Sequence, residues 1–277
     1  MCGTCGCSSD NKVTITKPHH HHHNDEHQHQ HHHDVHHEHH HQHDDHHHNE
    51  HHPHHHNEHH HPKTVIELEK DILHQNNINA AKNRGFFEAK SIFTINLVSS
   101  PGSGKTSLLE KTIADLKNEH LFYVIEGDQQ TMNDANRIAA LQIPVIQINT
   151  GKGCHLESDM VFDAVKKLEL SANSVLFIEN VGNLVCPSMF DLGEDKRVVI
   201  ISVTEGEDKP LKYPDMFLSS DVCVINKTDL LPYLNFDVAL LKENALKVNH
   251  HLQFFEVSAT SGQGMEKWYE WLIKNKK

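Results

Sequence analysis

Ile92-Phe93-Thr94-Ile95-Asn96-Leu97-Val98 runs straight into Ser99-Ser100-Pro101-Gly102-Ser103-Gly104-Lys105-Thr106, and Ser107 to Lys117 then reads as a helix. A short apolar strand, a Gly-rich turn ending in Lys-Thr and a helix start are the context a phosphate-binding loop requires. Gly102 and Gly104 let backbone N–H groups close around phosphate oxygens at the helix N-terminus. Lys105 supplies charge to the β- and γ-phosphates, and the Thr106 hydroxyl is expected to ligate Mg²⁺. Pro101, Ser103 and Ser107 complete the set expected around the phosphates. One departure from the usual pattern is Ser99, which stands where the first glycine is normally found.

Further strands are expected at Leu121–Glu126, Val145–Ile148, Val175–Glu179, Val198–Val203, Val222–Asn226 and Gln253–Val257. Helical stretches fall between them at Asn133–Leu141, Leu156–Leu168 and Val238–Val248, with Met265–Lys274 last. Short apolar strands alternating with helices predict a three-layer α/β domain with a mostly parallel sheet. Ligands in such sheets bind at the carboxyl ends of the strands, where the motifs fall. Upstream, Thr64 to about Phe87 reads as one or two amphipathic helices that pack on the domain through Val65, Leu68 and Ile72, with Ala80 and Ala81 later.

Asn226-Lys227-Thr228-Asp229 ends a strand. A carboxylate accepts from both N1–H and the exocyclic amine of guanine, a pair adenine does not offer. Asp229 is therefore the expected base reader, with Asn226 supporting the loop and the Lys227 stem covering the ring. Ser258-Ala259-Thr260 fits a further loop whose backbone N–H reads guanine O6. Asp128, ending Glu126-Gly127-Asp128, is expected to reach the Mg²⁺ shell or a water near the γ-phosphate, and Glu179, opening Glu179-Asn180-Val181-Gly182, to lie around Mg²⁺, with turn or capping roles as the alternative for both. Gly182 is read as the phosphate-sensing switch glycine. No glutamine is obviously placed to orient water, which predicts slow intrinsic GTP hydrolysis.

The other half of the chain has different chemistry. Cys2, Cys5 and Cys7 crowd the first seven residues, and 27 of the 32 histidines lie between His19 and His61. Neutral imidazole is a good ligand for Ni, Cu, Zn or Co, so this tract reads as divalent-metal capture on a flexible chain. Acidic residues scattered through it, such as Asp34 and Glu50, distinguish it from a purification tag. Residues 8–62 are too polar to bury a core and are expected to be disordered. Three thiolates in Cys2-x-x-Cys5-Gly6-Cys7 can wrap one ion, with the Cys2 α-amine as a fourth donor once Met1 is removed. Such a set suits square-planar Ni(II), and four tetrahedral donors suit Zn(II). In the domain, Cys154, His155 and Cys186 are a second candidate cluster, Cys186 lying four residues beyond Gly182. Their other reading is two core-filling cysteines and a surface histidine. Cys223 lies inside an apolar strand and reads as core.

The net charge of −13 disfavours nucleic acid as a partner. No apolar run reaches the ~18 residues of a membrane span and no signal-peptide core is present, which makes the cytoplasm the expected location. The chain thus divides into a Cys motif (1–7), a His-rich tract (8–62), a helical extension (63–91) and a GTPase domain (92–277).

Taken together, Cys-x-x-Cys-Gly-Cys, the His tract, SSPGSGKT, EGDQQT, ENVGNLVCP, NKTD and the Cys154-His155 pair resemble the nickel-incorporation GTPase family of nickel–iron hydrogenase maturation. In that family's form of the loop, Ser99 is the fitting residue. The resemblance implies a GTPase of the signal-recognition-particle and MinD-like class that dimerises when GTP is bound. It implies a tight nickel site at Cys2, Cys5 and Cys7, and a weaker nickel or zinc site at Cys154, His155 and Cys186. It also implies two partners, a zinc-containing hydrogenase accessory protein and the hydrogenase large-subunit precursor. Leu230, Leu231 and Leu234 are candidate dimer contacts, with core packing the other reading. The expected function is a GTP-hydrolysing metallochaperone that binds, stores and delivers Ni(II) to a hydrogenase precursor. The alternatives are a urease-type nickel GTPase, or a nickel or zinc buffer with a regulatory G domain.

Overall fold

A computed structural model describes residues 13–18, 64–129 and 131–276. Cys2, Cys5, Cys7 and the His-rich tract lie outside the described residues. The chain opens with β1 (Thr14–Thr16), then α1 (Val65–Ala89), β2 (Phe93–Ser99), α2 (Lys105–Leu116), β3 (Phe122–Asp128) and α3 (Asn133–Ala139). Next come β4 (Val145–Asn149), α4 (Ser158–Leu168), β5 (Val175–Glu179), a 3-10 turn (Cys186–Met189) and β6 (Lys196–Ser202). The short helices α5 (Lys209–Lys212) and α6 (Pro214–Leu218) precede β7 (Val222–Asn226) and a second 3-10 segment (Thr228–Tyr233). The last elements are α7 (Val238–Val248), β8 (Gln253–Glu256) and α8 (Met265–Asn275).

Eight strands form one sheet in the order β1-β4-β3-β5-β2-β6-β7-β8. All pairs are parallel except β1 with β4. The phosphate-loop strand β2 lies between β5 and β6, so its carboxyl end is flanked by the loops leaving both neighbours. The sheet is buried on both faces, and the period of two in each strand sorts its side chains between two helix layers. Phe93, Ile95 and Leu97 face α2, α3 and α8, where Leu108, Leu109, Ile138 and Trp268 pack. The opposite face is covered in two parts, by α1 and α4 around Phe87, Val161 and Val165, and by α6 and α7 around Phe217 and Leu241. Cys223 is fully buried there, and burial pushes its thiol up to about 12, so it remains a neutral core residue.

Two expectations about the N-terminal part need correction. First, Thr14–Thr16 fell inside the tract read as disordered, yet they form an antiparallel edge strand with Ile15 opposite Ile148. Val13-Thr14-Ile15-Thr16 is a β-branched run suited to a strand, and Val13 and Ile15 pack on the α1/α4 side of the core. The polar composition around this short run masked it. Second, α1 is one 25-residue helix, closed at Thr64 by a reciprocal capping box with Glu67. Of the expected packing residues Ala80 is buried, but Val65 is 72% exposed and Leu68 53%, and the face is completed by Asn76, Asn83 and Phe87. At 1.5 Å per residue such a helix is roughly 37 Å long, and only its C-terminal part lies over the domain. Asn83 Nδ2 donates to the carbonyls of Ser158 (2.7 Å) and Leu192 (3.0 Å), and Asn76 Oδ1 accepts from Ser158 N at 2.9 Å.

Phe87→Ala is expected to lower the unfolding free energy by about 3–5 kcal/mol, and Leu68→Ser by less than about 0.5 kcal/mol. Denaturant melts of the two variants check this; similar losses in both would mean the first half of α1 is covered.

Candidate functional site

At the carboxyl end of the sheet, β2 turns through Ser99–Gly104 into α2 and borders a cleft of about 500 Å³. Gly104 has φ +94°, and a Cβ there would lie 2.5 Å from Asn226 Nδ2, so both conformation and space require glycine. The close approach is used, since Asn226 Nδ2 donates to Ser103 O at 3.1 Å. Asn226 Oδ1 accepts from Lys227 N at 2.8 Å and Ala259 N at 3.3 Å. Lys227 Nζ reaches Gly102 O at 2.7 Å. The guanine motif and the phosphate loop are therefore pinned to one another. Asp229 is held by Ser258 Oγ at 2.5 Å. Lys227 lines the cleft; Asp229, Ser258 and Ala259 do not, and connect to it through Asn226 and the 227–229 segment.

Ser99 is fully buried, and its hydroxyl accepts from Lys105 Nζ at 3.0 Å while donating to Ser100 O at 2.6 Å. The residue in the first-glycine position thus holds the loop lysine. A second brace comes from Glu205, which no motif marked. Its carboxylate accepts from Ser100 Oγ (2.6 Å), Ser103 Oγ (2.8 Å) and Ser202 N (3.0 Å), and Lys209 Nζ lies 3.3 Å away.

The acidic part of the cleft differs from expectation in one respect. Thr106 Oγ1 donates to Glu179 Oε1 at 2.7 Å, which sets the loop hydroxyl beside that carboxylate. The carboxylates that converge with Glu179 are Glu126 and Asp134, their oxygens within 4.8 Å of one another. Asp128 lines the cleft but closes a turn, accepting from Thr131 N and Thr131 Oγ1 at 2.8 Å each. Strand register explains the difference. Glu126 on β3 is directly opposite Glu179 on β5, and Asp128 lies beyond the last residue of that pairing. A charged residue inside a strand covered on both faces was the available signal.

Burial, reinforced by the facing Glu179, raises the Glu126 carboxyl well above its usual range. Burial also raises Glu179, opposed by Lys105 and the Thr106 hydroxyl. Glu126 Oε2 and Glu179 Oε2 are buried without a hydrogen-bond partner. Hard, orphaned, mutually repelling oxygens beside a hydroxyl fit a hard divalent cation such as Mg²⁺. Arg137, also unmarked by the sequence reading, spans Glu110, Asp134 (3.3 Å) and Ser107 Oγ (3.3 Å) across the cleft wall.

Cys154, His155 and Cys186 do converge, with one donor atom from each within 4.8 Å of the others. The two Sγ atoms are 2.7 Å apart, and Cys154 Sγ is 3.6 Å from His155 Nδ1. A disulfide would need about 2.05 Å, so the two sulfurs are not covalently joined. The imidazole is fixed by stacking on Phe190 at 3.8 Å between centroids, with Glu157 Oε1 3.5 Å from Nε2. Two thiols and one oriented imidazole form an S₂N donor set of the kind that binds Ni(II) or Zn(II). Cys186 is buried, as the core reading expected, and Cys154 and His155 are half-buried beside it.

A short stretch of chain joins this cluster to the cleft. Gly182 follows β5 so closely against the phosphate loop that a Cβ would come 3.2 Å from Pro101 Cα. Asn180 Oδ1 accepts from Leu156 N (3.2 Å), and Asn183 Nδ2 donates to Cys154 O (3.5 Å). Leu230 and Leu231 pack against the α6/α7 core, while Leu234 is exposed. No helix among the described residues is long and apolar enough to cross a membrane.

Comparison with known proteins identifies the family. The family model described as CobW/HypB/UreG, nucleotide-binding domain, matches residues 93–256. The hydrogenase maturation factor HypB of Rhizobium leguminosarum bv. viciae is 59% identical over 208 residues, 75% of this chain and 70% of that one. The hydrogenase/urease maturation factor HypB of Helicobacter pylori (strain J99) is 40% identical over 219 residues, 78% of this chain and 90% of that one. The crystal structure of Helicobacter pylori HypB in complex with nickel superposes with a TM-score of 0.68 at 41% identity, covering 73% of this chain and 95% of that one. A P-loop α/β domain with a braced phosphate loop, and these relatives, lead to one family: the chain belongs to the HypB hydrogenase maturation factors, nucleotide-binding proteins of the CobW/HypB/UreG GTPase family.

Proposed function

We propose that this chain is a GTP-hydrolysing nickel metallochaperone in which the nucleotide state sets how Cys154, His155 and Cys186 hold their cargo. One observation supports this most directly: only three residues separate Gly182, in contact with the phosphate loop, from Cys186. A displacement of Gly182 by the γ-phosphate changes the position of a thiolate without any intermediate element. A switch needs a differential contact of this sort.

In this reading the loop amides and Lys105 hold the triphosphate, and Asp229 reads guanine. Thr106, Glu126 and Glu179, with Asp134 close by, would hold Mg²⁺, which neutralises phosphate charge during hydrolysis. Asp128 then supports the turn of the cleft wall. Two closed protomers, with Leu234 a candidate contact, form the GTP-bound dimer. The His tract stores nickel, the Cys2, Cys5 and Cys7 set binds it tightly, and the domain passes it towards a zinc-containing accessory protein and the hydrogenase precursor. Hydrolysis is slow and resets the cycle. The urease-type alternative has the name of the Helicobacter pylori relative in its favour. Assays of hydrogenase and urease in a strain lacking the gene separate the two.

Lys105→Ala is expected to reduce GTP turnover by on the order of 10²–10³-fold while leaving nickel binding by residues 1–62 intact; parallel loss of both would oppose the modular picture. Gly182→Val, by crowding Pro101, is expected to cost on the order of 100-fold in turnover through misplacement of the loop. Steady-state phosphate release measures it, and unchanged turnover would show that the close approach is not needed. Glu126→Gln removes one of two repelling buried carboxylates. It is expected to raise the melting temperature of the nucleotide-free protein and to abolish the further rise given by GTP analogue plus Mg²⁺. A lowered starting Tm would contradict the repulsion, and a retained Mg²⁺-dependent rise would remove Glu126 from the ion's surroundings.

A further inference from the structure

The sheet face covered in two parts has a polar seam between them. Along the β2 segment, Ile92 belongs to the α1/α4 part and Val98 to the α6/α7 part. Asn96 lies between these two, fully buried, opposite Arg197 on β6 and Ile178 on β5. An amide inside an apolar strand needs hydrogen-bond partners. Asn96 Nδ2 donates to Glu194 Oε1 at 3.0 Å, and Asn96 Oδ1 accepts from Asn180 Nδ2 at 3.4 Å. The Arg197 guanidinium closes on the same Glu194 oxygen, from Nη2 at 2.7 Å and from Nε at 3.0 Å. The Arg197 and Glu194 side chains are only 8% and 6% exposed.

Both ends of this seam meet the sulfur–imidazole cluster. Arg197 Nη1 donates to Ser188 O at 3.0 Å, and Nη2 donates to Phe190 O at 2.8 Å. Its fifth donor reaches Ser219 Oγ at 3.1 Å. Glu194 Oε2 accepts from Leu192 N at 2.7 Å. Ser188 lies two residues after Cys186, and Phe190 is the ring on which His155 stacks. At the other end, Asn180 Oδ1 accepts at 3.2 Å from the backbone N–H of Leu156, the residue after His155. A continuous run of buried side chains thus joins the Cys154–His155 arm to the Cys186–Phe190 arm. Attraction within a buried ion pair is largely offset by desolvation. What the pair supplies is direction, because a guanidinium donates in a fixed plane and a satisfied buried network rigidifies what it touches.

We propose that Arg197 is a positioning residue for the cluster: its fork, held by Glu194 and Asn96, sets the Cys186–Phe190 arm against the Cys154–His155 arm at the spacing a metal ion needs. This rests on the reading of Cys154, His155 and Cys186 as nickel ligands. The seam starts at Asn180, two residues before Gly182, so the network and the phosphate-facing glycine share the exit of β5. Lysine at position 197 would keep Glu194 paired but could not reach both carbonyls, since it lacks the planar fork.

Arg197→Lys in the full chain with Cys2, Cys5 and Cys7 changed to Ser therefore tests the spacing of the arms. Without metal, equilibration against reduced and oxidised glutathione gives the effective concentration of Cys154 towards Cys186, which is expected to fall on the order of tenfold. With nickel, titration followed by thiolate-to-nickel absorption should give an apparent dissociation constant raised on the order of tenfold. Asn96→Leu cuts the seam at its middle without removing a charge and should move both values the same way; if one of the two variants fails to fold, the other decides. Leu272→Ala opens the core on the opposite face of the sheet, away from the seam, and should move neither. Values unchanged in the folded seam variants, or shifted as far by Leu272→Ala, would overturn the proposal. Nickel titration of Cys154→Ser keeps the two readings apart: undiminished absorption there would refute the nickel reading, while the metal-free thiol measurement would still judge the positioning of the arms.

Discussion

The account depends on a steric constraint at the exit of β5. Gly182 passes so near Pro101 that a Cβ at position 182 would require the loop to give by a few tenths of an ångström. The contact lies at the cleft wall, where Gly182 is half-buried and Pro101 exposed. The parallel order β3-β5-β2-β6 creates the constraint, because it sets β5 beside the phosphate-loop strand. From Gly182 the chain reaches the Cys186 thiol within four residues. The same strand end thus borders the phosphate pocket on one side and the proposed metal cluster on the other.

Electrostatics on the cleft floor act in the same direction. Glu126 and Glu179 face each other in register, both deeply buried and each with one oxygen unpartnered. Such a pair is costly until a cation or a proton joins it. The folded state therefore takes up protons as pH falls, and the pair's cost to stability is greatest well above its raised titration range. In the proposed reading, a cation carried in with the nucleotide would relieve that cost. Rigid supports surround this floor: Ser99 under Lys105, Glu205 under the loop serines, and Asn226 between loop and base motif.

Much of this was legible in the sequence, for reasons tied to particular residues. The alternation of short apolar strands and helices gave the parallel sheet, since strands buried on both faces leave continuous runs such as Val222–Ile225. The loop and base motifs were readable because phosphate and guanine restrict residue type at fixed spacing. Cys154, His155 and Cys186 were readable as candidates, although their convergence depends on β5 and β4 ending side by side with β3, which no local pattern encodes. Glu126 was passed over for Asp128 because strand register, not sequence order, decides which carboxylate faces Glu179. Glu205 and Arg137 lie in no motif and act through partners distant in sequence. The first half of α1 has an apolar face by spacing, yet spacing cannot say where the domain beneath it ends.

The central claim is most directly tested in the full chain with Cys2, Cys5 and Cys7 changed to Ser. Thiolate-to-nickel absorption then reports only Cys154 and Cys186, because Cys223 is buried and stays protonated. Nickel is titrated with GDP bound and again with a non-hydrolysable GTP analogue, the His tract serving as an identical competitor in both. The account predicts apparent dissociation constants that differ by at least about fivefold, a coupling of about 1 kcal/mol. Equal constants in the two nucleotide states would contradict it.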